Sequence, residues 1–145
     1  MVVRQIWTAA STAQHRPRPG LTAPGFIAQA LPALRGAGVE RGMAHFSYAS
    51  PDRKWVLVIE MDHTGAWQRC RLFPLDRSAV GVAVGPPGHC TATAWSPDGR
   101  WMYFTGGSAS SGDHLWRQRF GKAEPEQVTF GPTEEQGIAA APDGR

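Results

Sequence analysis

The stretch AWSPDGRWMYFTGG, Ala94 to Gly107, carries most of what the sequence says about the fold. An apolar run enters a Pro-Asp-Gly turn, and an aromatic-rich run leaves it. Pro presets φ near −65° at the first central position of a turn, and Asp accepts backbone hydrogen bonds there. Gly then takes a positive φ without steric cost. The segment reads as a β-hairpin, and it recurs. YASPDRKWVLVIEM starts at Tyr48, and AAAPDGR closes the 145-residue sequence. Pro51, Pro97 and Pro142 are followed by Asp52, Asp98 and Asp143, at separations of 46 and 45 residues. Ser50 and Ser96 precede the first two prolines, Gly99 and Gly144 follow the last two aspartates, and Trp55 and Trp101 each lie four places beyond Pro. The first copy has Arg53 where the others have Gly. A non-Gly residue at positive φ is uncommon, so that turn either differs or carries strain of about 1 kcal/mol.

A period near 45 is that of one four-stranded β-propeller blade. Within the first period MAHFSYA, WVLVIEM, RCRLFPL and VGVAV read as strands. In the second, TATAWS, WMYFTG, HLWRQRF and EQVTF take the same places, and GIAAA begins a third unit. Each run is short, rich in β-branched or aromatic residues, and bounded by Gly, Pro, Asp or Ser. The innermost strands carry small residues, as crowding around an axis requires. WVLVI is continuously apolar, as expected of a middle strand covered on both faces. The expected fold class is all-β: a partial β-propeller of about two four-stranded antiparallel blades plus the start of a third. The blades are placed at 43–89 and 90–136, with a truncated third at 137–145. Residues 1–42 form an irregular Ala/Gly/Pro/Arg-rich segment in which MVVRQIW (1–7) could be the last strand of a preceding blade. The stretch from Thr8 to Gly42 lacks strand periodicity and is expected to be poorly ordered.

Composition excludes several classes. The net charge is +3 with no dense Lys/Arg cluster beyond RPRPG, whereas nucleic-acid binding needs a clustered basic face or a known module. No run approaches the roughly 18–20 apolar residues of a membrane span. Asn is absent, so no N-x-S/T acceptor exists. Cys70 and Cys90 form no CxxC and have no metal-type spacing to His. They read as two partly buried free thiols; the alternative is a disulfide, which would imply an oxidising compartment.

The copies of SPDG followed by an aromatic strand resemble the WD-like repeats of TolB-type β-propellers. LWRQRF, Gly121 and Val128-Thr129 match that family's third strand, turn and fourth strand. The resemblance covers about residues 43–145. Its wording is similar to propeller tails of bacterial serine/threonine kinases or winged-helix regulators, although no kinase signature is present. It implies a ring of roughly four to eight blades, so the chain is expected to be a fragment of a longer protein. An extracytoplasmic, periplasmic location follows if the resemblance extends to compartment.

The search for chemistry is mostly negative. GAGVERG (Gly36 to Gly42) looks superficially like a dinucleotide loop but has Arg41 where Gly is required. GGSASSG (Gly106 to Gly112) is neither a P-loop nor a nucleophile elbow and reads as a flexible loop. Ser111, Asp113 and His114 are neighbours there, but a triad needs a base that reaches the nucleophile and a group that orients the base. The five histidines lack zinc spacing. Glu134 and Glu135 read as a solvated pair. Asp52, Asp98 and Asp143 recur with the turn, so Ser50, Pro51, Asp52, Ser96, Pro97, Asp98, Gly99, Pro142, Asp143 and Gly144 are assigned to turn architecture. Inter-blade packing absorbs most tryptophans, with Trp67 as the most exposed aromatic. Catalytic, cofactor and metal residues are expected to be none. Ligand-face candidates are His63, Trp67, His89, Ser111, Asp113 and His114, in the loops Asp62–Gln68 and Ser108–His114.

The expected function is a non-enzymatic binding or scaffold module of a larger, signalling-type protein. Its partners would be a protein, peptide or small ligand together with the remaining blades, with no nucleic acid and no membrane span in this segment. The alternative is the propeller half of a prolyl oligopeptidase-like serine peptidase whose catalytic domain lies elsewhere.

Overall fold

The computed structural model describes residues 42–76, 78–108, 110–122, 124–141 and 143. The expectations for residues 1–41, including the strand MVVRQIW, and those for Pro142 and Gly144 lie outside the described residues. Eight strands form two four-stranded antiparallel sheets. The first runs β1 (Gly42–Ala49), β2 (Trp55–Asp62), β3 (Arg71–Pro74), β4 (Val82–Ala83). The second runs β5 (His89–Trp95), β6 (Trp101–Ser108), β7 (Gly112–Arg119), β8 (Glu126–Gln127). Each strand pairs with its sequence neighbour, the meander of a propeller blade.

The two Pro-Asp turns are built alike. Ser96 Oγ donates to Asp98 Oδ1 at 2.6 Å and accepts the Trp101 amide at 2.9 Å. Asp98 Oδ1 also accepts the Arg100 amide at 3.0 Å. In the first turn Ser50 Oγ donates to Asp52 Oδ1 at 2.5 Å and accepts Trp55 N at 3.0 Å, and Lys54 N donates to Asp52 at 3.1 Å. Arg53 sits at φ 58° and Gly99 at φ 70°, so Arg53 occupies the glycine conformation and the turn does not change type. The serine hydroxyl therefore bridges the turn's aspartate to the first residue of the outgoing strand.

Alternation along β2 and β6 sets the packing. Val56 to Glu60 are all buried, as the continuous run WVLVI predicts. Leu57 and Ile59 join Cys70, Leu72 and Val84 of the first sheet in one cluster with Cys90, Trp95, Met102 and Phe104 of the second. Val56 and Val58 pack with Phe73 in a separate cluster. Each fully buried aliphatic or aromatic side chain is worth about 1.5–3 kcal/mol, so the seam between the sheets is the main source of stability. Polar contacts register it. Trp95 Nε1 donates to the Tyr48 carbonyl at 3.1 Å, and the Gly85 amide donates to Gln118 Oε1 at 2.8 Å. The Phe120 ring lies 5.4 Å from Trp55 and 5.7 Å from Trp95. Gly85 has φ 76°, and a Cβ there would meet Phe104 at 2.8 Å.

Three expectations are corrected. Cys70 and Cys90 are not free thiols: they form a disulfide between the sheets, with Cα atoms 5.7 Å apart. GGSASSG is not one loop, because Gly106, Gly107 and Ser108 complete β6 and pair with His114, Asp113 and Gly112. Gly106 is required there, since a Cβ would lie 2.1 Å from the His89 carbonyl. The outermost strands shrink from five residues to two. At the second, Val128 N and Thr129 N both converge on the Leu115 carbonyl, which ends the ladder. Residues 137–141 carry no strand pairing, yet Ile138, Ala139 and Ala140 line a cleft of about 490 Å³ with Tyr48, Thr93 and Trp95.

Candidate functional site

The topology gives each sheet a turn end and a loop end. The two Pro-Asp turns share the first, where the Cβ position of Gly99 lies 3.7 Å from Pro51. The opposite end gathers the β2–β3 loop, the start of β5 and the β6–β7 hairpin. The Cys90 amide donates to the Gln68 carbonyl at 3.1 Å, so the loop ends of the two sheets meet. All six ligand-face candidates lie at this end.

The β2–β3 loop is organised by Asp62. Its Oδ1 accepts the Thr64 amide at 2.8 Å, the Thr64 hydroxyl at 2.6 Å and the Ala66 amide at 3.1 Å. Its Oδ2 accepts Gln68 Nε2 at 3.0 Å. The Thr64 hydroxyl first, then the Ala66 and Thr64 amides, hold its carboxyl below the ordinary Asp value. His63 is exposed at the tip. Trp67 is not the exposed aromatic expected: it bridges to Met61 and packs half-buried against the core cluster.

The second sheet brings the remaining candidates into two networks. His89 Nε2 lies 2.7 Å from Asp113 Oδ1. Asp113 Oδ2 accepts the Thr91 hydroxyl at 3.0 Å, and Thr91 Oγ1 lies 3.1 Å from Thr105 Oγ1. His114 Nδ1 lies 3.2 Å from Glu135 Oε2, which accepts the Thr129 hydroxyl at 2.9 Å. Thr129 Oγ1 accepts the Leu115 amide at 2.8 Å, and the Glu135 amide donates to the Asp113 carbonyl at 2.8 Å. Asp113 and His114 are buried strand residues, not members of a mobile loop. Glu135 is half-buried and bonded, not half of a solvated pair.

Ser111 stays in its own hairpin. Its Oγ accepts the Ser108 amide at 3.0 Å and lies 3.0 Å from Ser108 Oγ. Asp113 partners His89, His114 partners Glu135, and Ser111 partners Ser108. No hydrogen bond among the described residues joins the three into a nucleophile–base–orienter chain. No group of three or more His, Cys, Asp or Glu among the described residues could hold a metal ion. No described helix is long and apolar enough to cross a membrane.

Sequence reasoning missed Thr91, Thr105, Thr129 and the role of Glu135. The signal was present in the register. His89 and Asp113 both pair with Gly107, and a residue without a side chain lets the two approach across it.

No protein-family model and no curated protein matches the chain. Among solved structures, 27 chains match. One is described as "putative TolB from Agrobacterium tumefaciens", with a TM-score of 0.52 and 24% identity over 70% of this chain. The fold is a partial β-propeller of TolB-like architecture. The chain spans 36% of the length of that structure.

Proposed function

We propose that the chain is a non-catalytic β-propeller segment of a larger, signalling-type protein, and that it binds a protein, peptide or small ligand at its loop end. The observation that carries this reading is the separation of Ser111, Asp113 and His114 onto three different partners. Their hydrogen-bonding capacity goes into fixing the blade's edge. The exposed tips that remain, His63 to Ala66 and Ser110 to Ser111, are short polar presentations on a rigid scaffold, and function resides in such sites and not in the fold.

Two arms test the reading. Incubated with peptide and ester substrates, the chain is expected to give no hydrolysis above buffer; turnover abolished by Ser111→Ala would overturn the non-enzyme reading. Peptides selected from a displayed library against the chain are expected to lose binding to His63→Ala. Binders insensitive to changes at both tips would place the binding surface elsewhere.

A further inference from the structure

The Cys70–Cys90 bond joins β5 to the residue preceding β3, so it crosses the seam between the two blades. Both cysteines are fully buried, among Leu57, Ile59, Leu72, Val84, Met102 and Phe104. Their backbones are positioned independently of the sulfur bond. Val84 N donates to the Cys70 carbonyl at 2.9 Å, and Cys90 N donates across the seam to the Gln68 carbonyl at 3.1 Å. The Cα separation of 5.7 Å lies within the range a disulfide spans without backbone movement. By strand register the repeat counterparts are Leu115 for Cys70 and Ala44 for Cys90. The pair therefore belongs to this junction and not to the repeat as such.

We propose that Cys70–Cys90 is a redox staple gated by blade separation. Closure converts two thiols and an external low-molecular-weight or protein disulfide, R–S–S–R, into the Cys70–Cys90 bond and two R–SH. The two protons and two electrons of the cysteine thiols pass to the external disulfide. Opening by a thiol reductant runs the same exchange backwards. Exchange requires access to a sulfur atom, and neither sulfur has any while the blades are packed. The bond is thus made and broken only in molecules whose seam has opened. In the closed state the blades stay joined under conditions that reduce exposed disulfides.

The test uses the oxidised 145-residue chain, a water-soluble phosphine reductant, and alkylation followed by mass spectrometry. Reduction is expected to be slow in buffer and to accelerate steadily through sub-denaturing urea. Phe120→Ala, which removes the ring between Trp55 and Trp95 without touching either cysteine, is expected to speed reduction in buffer about tenfold. In high urea both proteins should be reduced at one rate. Reduction in buffer as fast as in the unfolded chain would overturn the proposal. So would a rate indifferent to urea in the unsubstituted chain, which stands as a test even if Phe120→Ala fails to fold. Two alkylated thiols in the oxidised chain without reductant would remove the bond itself.

Discussion

Replacing Ser96 by Ala isolates the device that the repeat is built on. The substitution removes the acceptor of the Trp101 amide at 2.9 Å and a donor to Asp98 at 2.6 Å. Ser96 is 8% exposed, so water replaces the lost hydroxyl poorly. Loss of a comparable side-chain cap costs about 1 kcal/mol, and an unsatisfied buried donor costs about 1–3 kcal/mol. Trp101 is half-buried, which places the expected loss at about 1–2 kcal/mol. In a chain of 145 residues each kcal/mol lowers Tm by about 2–4 °C. Urea denaturation at neutral pH should show a lower midpoint with an unchanged slope. The pH dependence adds a second readout. The Ser96 hydroxyl is the first cause holding the Asp98 carboxyl below 3.8, followed by the Arg100 amide. A depressed folded pKa contributes stability above the unfolded value and loses it as pH falls through the folded one. The gap between wild type and Ser96→Ala should therefore narrow below about pH 3.8. A variant within about 0.3 kcal/mol of wild type at neutral pH would refute the bridging role. A gap that stays constant into acid would refute the coupling of Ser96 to Asp98.

Gly85→Ala forces a side chain into a φ of 76° and against Phe104; a loss of about 2 kcal/mol or more is expected in chemical denaturation. Asp113→Ala removes the partner of His89 Nε2 and leaves the Thr91 hydroxyl only its longer contacts with Thr105; it should cost about 1–3 kcal/mol by thermal melting, with Asp113→Asn intermediate. Burial pushes the Glu60 carboxyl above its ordinary 4.5 while Arg71 opposes the shift. A raised acid pKa favours the folded state at low pH and loses that advantage as pH rises through the folded value. Wild type should accordingly lose stability relative to Glu60→Gln as pH climbs above 4.5, measured by urea midpoints across a pH series.

The fold was legible because it is written twice. Two copies of Ser-Pro-Asp in register, with Trp55 and Trp101 at matching offsets, fix strand order before any contact is known. Arg53 was legible as the one position where the turn would force a non-Gly residue to positive φ, and it adopts φ 58°. The site was less legible because its contacts are long-range. His89 meets Asp113 across 24 residues and His114 meets Glu135 across 21. Nearness in sequence places Ser111, Asp113 and His114 on one ligand face but says nothing of these distant partners. The cysteines failed for a related reason: spacing says nothing about a pair brought together by two sheets that close face to face. The outer strands were overcalled because VGVAV and EQVTF have strand composition, whereas composition does not specify where a ladder ends.

Two four-stranded repeats stack face to face. Nuclear Overhauser contacts in the isotope-labelled chain report that stacking. Cross-peaks are expected between the rings of Phe120 and Trp55, across the two sheets, and between those of Phe120 and Trp95 within the second, with extended backbone shifts through β5, β6 and β7. Helical shifts across residues 90–130, or extended shifts without ring contacts between the sheets, would contradict it.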